Sequence, residues 1–298
     1  MSLKLKIILL FFFALPFSQA GHLPNDNVLL RFGITPVVLD ERAQFLKEWK
    51  VYLERELNRP VEFVQRGNYR EITDLLLYGK IDFAWICGFP YVANSENLNL
   101  VAVPNYQGQP RYRSYIIVRS DNENIHELKD FKGLVFAYSD PDSNSGYLYP
   151  RYELLQQGIN PDHFFRKTFF AGSHHHVIES VVTGLSAGGA VDGYIWDTLK
   201  IQYPEMIAKT KIISTSPEFG FPPIVARKNL PIEQQNALRA ALIKMQTDPV
   251  GKKLIKQLNI DGFMQASESL YKSIDVMAAS SALKYHDIET KLPQSNNR

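Results

Sequence analysis

The stretch LVFAYSDPDSNSGYLYP, residues 134–150, decides how this chain is read. Residues 134–138 form an apolar strand, a run of Asp, Pro, Ser and Asn follows, and an apolar-aromatic helix is expected over 146–156, stopping before Gly158. A strand feeding a helix through a polar loop is the unit of an α/β lobe, and here it begins for the second time. Upstream, a buried strand over 28–35 ends at Pro36. A helix over 41–57 sets Phe45, Trp49, Tyr52, Leu53 and Leu57 on one face. A strand over 60–65, a helix over 69–78 closed by Gly79, and a strand over 81–86 complete β-α-β-α-β. Strands at 100–103 and 112–118 precede the restart. Downstream the alternation repeats: strand 167–170, helix 174–183, strand 190–194, helix 195–202, strand 211–214. The extended segment 222–226, PPIVA, carries the chain back, and after Pro231 only helices are expected, over 232–245, 249–257 and 268–279. The order implies two α/β lobes, the second inserted in the first: lobe 1 from 21–115 and 222–298, lobe 2 from 116–221. A cleft between such lobes, at the carboxyl ends of strands, is where small ligands bind.

Composition agrees with a globular chain. Of 298 residues, 45% are hydrophobic and 21% charged, which excludes a disordered chain, a collagen and a coiled coil. With 33 Lys+Arg against 31 Asp+Glu, there is no basic surplus for nucleic acid and no acidic surplus for cations. The single cysteine, Cys87, rules out an intramolecular disulfide and a Cys-rich zinc site, and it reads as a small apolar packing residue. At the N-terminus Lys4 and Lys6 precede the apolar run 7–16, IILLFFFALP, and Ser18 and Ala20 occupy the small-residue positions of a cleavage site. Residues 1–20 therefore read as a secretory signal peptide cut after Ala20, and the expected compartment is the periplasm or the exterior. The run is shorter than the roughly 20 apolar residues of a permanent span.

Three motifs compete for the chemistry. In 139–150 the residues Ser143, Asn144 and Ser145 sit where the first N–H groups of a helix lack partners, and amides, helix dipole and hydroxyls together make an anion site. A simple helix cap needs only one of them. Asp140, Asp142 and Asn144 alternate like a calcium loop, but the glycine falls one place late and Arg151 stands where a bidentate Glu is required. Gly184-Leu185-Ser186-Ala187-Gly188 matches G-x-S-x-G, yet a helix precedes it and a strand follows, the reverse of a nucleophile elbow, and only His286 lies downstream. His174, His175 and His176 point about 100° apart on a helix, so they cannot converge on one metal ion, and at most one enters a cleft.

On these residues the chain resembles the periplasmic phosphonate-binding proteins, the solute-binding subunits of ABC importers for phosphonate, phosphite and phosphate-like anions. The run Asp140-Pro141-Asp142-Ser143-Asn144-Ser145-Gly146 with Leu148 and Pro150 is similar to the family's D-P-x-S-x-S-G-x-L-x-P loop. Ala171-Gly172-Ser173-His174 is similar to its A-G-S-H turn, Ala190-Val191-Asp192 to its A-V-D strand end, and Asp82-Phe83-Ala84-Trp85 with Tyr91 to its D-x-A-W segment. The resemblance implies a two-lobed periplasmic-binding-protein fold of type II-like form. It implies that Ser143, Asn144 and Ser145 with their amides hold the phosphonyl oxygens. His174 would reach them from lobe 2, Tyr69 and Tyr112 would donate hydroxyls, and Asp192 would accept a hydrogen bond from the ligand. A protonated His174 would tighten binding as pH falls through about 6.5. Departures are Asn144 where the family often has Thr, Ala187 where many members have Asp, and 219–223, FGFPP, without a carboxylate; an amine-bearing ligand is disfavoured, although Asp192 and Glu218 could meet one.

The expected function is capture of a phosphonate-, phosphite- or phosphate-like oxyanion for an ABC permease, by a monomer without cofactor, metal, nucleic-acid partner or catalysis. Two rivals stand beside it. One is a binding protein that presents its ligand to a membrane sensor kinase or chemoreceptor. The other is a secreted serine hydrolase using Ser186, which the reversed element order disfavours.

Overall fold

The computed structural model describes residues 28–35 and 43–281. The expected signal peptide, the polar tail 294–298 and His286 lie outside the described residues. Among the described residues no helix is long and apolar enough to cross a membrane.

The first part of the chain supplies β1 (Leu30–Ile34), α1 (Ala43–Leu57), β2 (Val61–Gln65), α2 (Tyr69–Leu77), β3 (Phe83–Trp85), α3 (Gly88–Ala93) and β4 (Leu98–Asn105). After the short β5 (Arg111–Tyr112) come β6 (Ser114–Arg119), β7 (Val135–Tyr138), α4 (Tyr149–Gln156), β8 (Lys167–Phe170), α5 (His174–Val182), β9 (Gly188–Asp192), α6 (Gly193–Gln202), α7 (Pro204–Ile207) and β10 (Thr210–Thr215). The chain returns through β11 (Phe219–Gly220) to β12 (Ile224–Arg227), α8 (Ile232–Lys244), α9 (Pro249–Leu258), β13 (Gly262–Met264) and α10 (Lys272–Ser280).

Two sheets result. The first has the order β13-β4-β12-β3-β1-β2, with β2, β1 and β3 parallel and β12 antiparallel to both neighbours. The second has the order β10-β6-β9-β7-β8, with β9, β7 and β8 parallel and β6 antiparallel to β9. The two crossings between them pair with one another, β5 against β11, with Tyr112 opposite Phe219 and Arg111 opposite Gly220. This is the two-lobed α/β fold with one lobe inserted in the other. The first lobe is centred on Trp49, whose ring meets those of Phe32, Phe63, Trp85 and Phe263. In the second, strand alternation splits the core: Phe136 and Tyr138 pack on one face with Phe131 and Phe165, and Ala137 packs on the other with Val177, Val191 and Trp196.

Three readings change. A strand, β13, lies after Pro231 where only helices were expected. Its three residues follow the left-handed Asn259 that ends α9, too short a run to show alternation, and it extends the sheet by pairing with β4. The helix expected from Gly146 begins earlier, as a wide π-type turn over Asn144–Leu148 that runs into α4, with Pro150 in its first turn where no N–H is needed. The strand expected over 112–118 is interrupted at Arg113, which separates the crossing β5 from β6.

Candidate oxyanion site between the lobes

The site gathers at the carboxyl ends of β3, β7 and β9. β7 ends at Tyr138, and Asp140 turns the chain by accepting the Asp142 N–H at 2.8 Å. Ser143 then caps the π-type turn, its Oγ accepting the Gly146 N–H at 2.9 Å. Gly146 is required by close approach: a Cβ there would stand 1.9 Å from the Ser139 Oγ. The loop is braced from β6, where the Ser114 hydroxyl donates to the Ser145 carbonyl at 2.7 Å. α5 starts at His174 because Ser173 caps it, its Oγ accepting the His176 N–H. α6 starts after Asp192, whose Oδ1 accepts the N–H groups of Tyr194 and Ile195.

All seven residues expected at the site, Tyr69, Tyr112, Ser143, Asn144, Ser145, His174 and Asp192, are buried. Contacts tie them together. The Asn144 Nδ2 donates to the Tyr112 Oη at 2.9 Å, and the Asp192 N–H donates to the His174 Nδ1 at 3.0 Å. Ser145 acts on the Tyr112 phenol along with Asn144. The Tyr69 phenol is raised well above its ordinary range, by burial first and then by Asp140, Cys87, Asp192 and Tyr112 around it. Of the three adjacent histidines only His174 turns inward; His175 is half-buried and His176 exposed. Ser143 serves as the helix cap, although its O–H can still donate. Three buried polar atoms of this cluster, the Tyr69 Oη, the Asn144 Oδ1 and the Ser145 Oγ, find no well-formed hydrogen bond within the protein. Such groups are rare, because each costs about 1–3 kcal/mol when left unsatisfied.

Protonation differs from the sequence-based expectation at two positions. Burial lowers His174 to about 3, so the ring is neutral at any ordinary pH. Its Nδ1 accepts a backbone N–H, which puts the ring proton on Nε2 and leaves that N–H as the donor. A charged His174 below pH 6.5 is therefore not part of the site. Asp192 is pushed up to about 8, chiefly by burial, against the pull of the Ile195 and Tyr194 N–H groups. A carboxyl that keeps its proton at neutral pH can donate to an anion rather than repel it.

Residues around the cluster went unrecognised in the sequence. Arg70, beside Tyr69 on α2, reaches across to Asp142 with two 2.8 Å bonds, from Nε and from Nη2, and Asp142 is fully buried. Next to it the Tyr69 N–H donates to the Asp140 Oδ2 at 3.4 Å. On the other side of the cleft the Tyr106 and Tyr115 hydroxyls donate to the Asp197 Oδ2, and the Asn259 Nδ2 donates to the Thr198 Oγ1. The Tyr106–Asp197, Asn259–Thr198 and Arg70–Asp142 bonds join the lobes in a closed arrangement, while Tyr115, on β6, steadies Asp197 from within the second lobe. The signal for Arg70 was its place in the first turn of the helix that delivers Tyr69. Cys87 is another missed residue: it follows β3 at its carboxyl end, the end where α/β proteins place ligands. Glu218, considered for an amine, is engaged by Arg113 at 3.1 Å and Gln109 at 2.9 Å.

Ser186 is buried at the opposite end of the second sheet, its Oγ 2.9 Å from the Ser180 Oγ. A helix precedes it and β9 follows.

Residues 32–271 match the family of ABC transporter, phosphonate, periplasmic substrate-binding proteins. The chain belongs to this family of periplasmic, transport-linked binding proteins. Among its relatives, a phosphate-import protein of Mycolicibacterium smegmatis is 31% identical over 159 residues, spanning 49% of this chain and 48% of that protein. A probable ABC transporter phosphite-binding protein of Prochlorococcus marinus is 26% identical over 270 residues, 86% of this chain and 87% of that one. The crystal structure of the Prochlorococcus protein in complex with methylphosphonate matches with a TM-score of 0.75, covering 85% of this chain and 97% of that chain at 21% identity. A binding protein component of an ABC phosphonate transporter from Pseudomonas aeruginosa matches with a TM-score of 0.77 over 89% of this chain and 90% of that chain, at 23% identity.

Proposed function

We propose that this protein captures a small phosphonate-, phosphite- or phosphate-like oxyanion between its lobes and delivers it to an ABC permease. The observation that carries the reading is the set of buried, unpartnered polar atoms contributed by both lobes: the Tyr69 Oη from one, the Asn144 Oδ1 and the Ser145 Oγ from the other. With the Ser143 hydroxyl, the His174 Nε2–H and the Asp192 carboxyl, the Tyr69 and Ser145 hydroxyls form a set of neutral donors suited to an anion with several acceptor oxygens. The Asn144 amide presents its oxygen or, turned over, its nitrogen. Arg70, the cation beside this set, is engaged by Asp142, so charge is met by directional hydrogen bonds rather than by a salt bridge. Similarity to proteins named for phosphite and phosphate import supports the ligand class. The engagement of Glu218 favours a ligand without an amine, a bare oxyanion or one with a small apolar substituent.

The mechanism is closure. The ligand bonds to donors of both lobes, so it favours the closed form by the difference in its affinity for the closed and open forms. The permease then recognises that form. The working unit is a monomer exported by cleavage after Ala20; intact mass of periplasmic protein should give a chain starting at Gly21. The ligand class is tested by thermal unfolding with phosphate, phosphite, methylphosphonate, aminoethylphosphonate and sulfate. A ligand at a hundred times its dissociation constant adds about 2.7 kcal/mol. Methylphosphonate or phosphite should give that rise and aminoethylphosphonate less; a response to sulfate alone, or to none of them, refutes the reading.

A further inference from the structure

Cys87 is the chain's single cysteine, and it lies between the lobes. It stands between β3 and α3 on the first lobe and is 2% exposed. Its Sγ accepts the N–H of Asn144, from the second lobe, at 3.2 Å. The N–H groups of Phe89 and Gly88, at the start of α3, act on the sulfur in the same sense without forming a side-chain cap. Burial outweighs all three and pushes the thiol up to about 12, so the sulfur is a neutral, weak acceptor. The Asn144 N–H is the first amide of the turn Asn144–Leu148, among the N–H groups that a helix start leaves without an internal partner. Around this contact stand the unpartnered Tyr69 Oη, Asn144 Oδ1 and Ser145 Oγ. The Asn144 amide therefore has a partner in the protein, while neighbouring side chains are left for a ligand.

We propose that Cys87 is a positioning residue of the oxyanion site: by holding the Asn144 N–H across the lobe interface it fixes the orientation of the Ser143–Ser145 loop, and its thiol is sealed from reagents when the lobes close on a ligand. The inference rests on the binding function proposed above. A hydroxyl could replace the sulfur as acceptor, whereas a methyl group could not, and a buried N–H without a partner carries a penalty. That penalty exists only in the closed, ligand-bound form, because water serves the amide when the lobes part.

The test compares wild type, Cys87→Ala and Cys87→Ser by calorimetric titration with methylphosphonate and phosphite. It also measures the rate at which N-ethylmaleimide alkylates the wild-type thiol with and without those anions. Cys87→Ala should bind about tenfold more weakly, with an unliganded melting temperature near wild type. Cys87→Ser should recover affinity to within about threefold. Saturating ligand should slow alkylation at least tenfold. If Ala, Ser and Cys proteins bind alike, or if ligand leaves the alkylation rate unchanged, the proposal is overturned. Should Ala and Ser both lose affinity in step with a fall in unliganded melting temperature, Cys87 is only a packing residue and the proposal fails. If wild type binds neither anion, the functional reading fails instead. In that case a thiol alkylated as fast as free cysteine also removes the positioning role, and one that resists alkylation upholds the sealed contact.

Discussion

The two ends of the second sheet carry the same kinds of residue and treat them differently. At the carboxyl ends of β7 and β9 the hydroxyls and amides of Ser143, Asn144 and Ser145 are buried, and two of them keep a polar atom that the protein does not satisfy. At the opposite end, Ser186 is as deeply buried and sits between two glycines, but its hydroxyl is satisfied by Ser180 at 2.9 Å. One serine cluster is an open valence and the other is closed on itself. Burial alone does not separate function from structure, and neither does one unpartnered atom, since the Trp49 Nε1 in the core of the first lobe also lacks a partner; what sets the loop apart is that several such atoms gather at the carboxyl ends of strands, between the lobes.

The contrast can be broken most directly at the loop. Replacing Ser143 and Ser145 by Ala should cost about 1.5–3 kcal/mol of binding for each hydroxyl that bonds the charged ligand, read by calorimetric titration. Folding stability should fall by about 1 kcal/mol, through the lost Ser143 cap. Unchanged affinity in the double variant would place the ligand elsewhere.

Next comes His174, whose Nε2–H is offered while its Nδ1 holds the Asp192 N–H. His174→Ala should weaken binding ten- to a hundredfold, about 1.4–2.7 kcal/mol. His175→Ala and His176→Ala should each change it by less than about 0.5 kcal/mol. Equal effects at the three positions would mean that the inward-facing register of α5 carries no function.

A smaller effect is expected at the latch. Asp142→Asn keeps the shape of the contact to Arg70 and removes its charge; affinity should drop about fivefold, or about 1 kcal/mol, because only the closed form makes the contact. Small-angle scattering should then report a larger unliganded radius. An Asn variant as compact and as tight-binding as wild type would show the pair to be incidental.

Protonation sharpens the comparison further. Asp192 keeps its proton to about 8 in the fold but ionises near 3.8 in an unfolded chain, so between those values the native state holds the extra proton. Its contribution to stability falls as pH rises through that window. His174 runs the other way: from about 3 to 6.5 the unfolded chain binds more protons, and stability rises with pH. An arriving anion favours the protonated form of Asp192 still more. Methylphosphonate titrations at pH 8 in two buffers of different ionisation enthalpy should therefore reveal proton uptake, abolished in Asp192→Asn. Uptake that persists in Asp192→Asn would assign the proton to another group.

The smallest effect belongs to the far end. Ser186→Ala should leave ligand affinity untouched and cost about 1 kcal/mol of stability through the lost Ser180 contact. Esterase turnover that depends on Ser186 would reverse the contrast and revive the hydrolase reading.

Much of this was legible in the chain because it is written in local chemistry. Strand-to-helix transitions, the turn Ala171-Gly172-Ser173-His174 and the polar loop at 139–145 are short-range signals, and each identified a side chain that the fold then buried. What was not legible depends on contacts across the lobes. Asp142 read as part of a failed calcium loop, since nothing nearby in sequence discloses Arg70, 72 positions away. Cys87 read as an apolar packer because the Asn144 amide lies 57 residues downstream. The charge on His174 was misjudged for the same reason: desolvation is a property of the assembled interior, not of the residue. β13 was missed because three residues carry no period.

The paired crossings β5 and β11 have a kinetic consequence. In any rotation of one lobe against the other about this ribbon, atoms travel in proportion to their distance from it, as along a lever. Tyr112 lies within the ribbon, opposite Phe219, and its hydroxyl meets the Asn144 side chain. It is therefore nearly stationary through the swing, whereas Arg70 and Asp142, outside the ribbon, are carried apart. On the proposed site, an incoming anion would meet Tyr112 in much the same place at every degree of opening. Tyr112→Phe should accordingly slow capture, while loss of the Arg70–Asp142 latch should hasten escape: the fulcrum governs the on-rate and the rim the residence time.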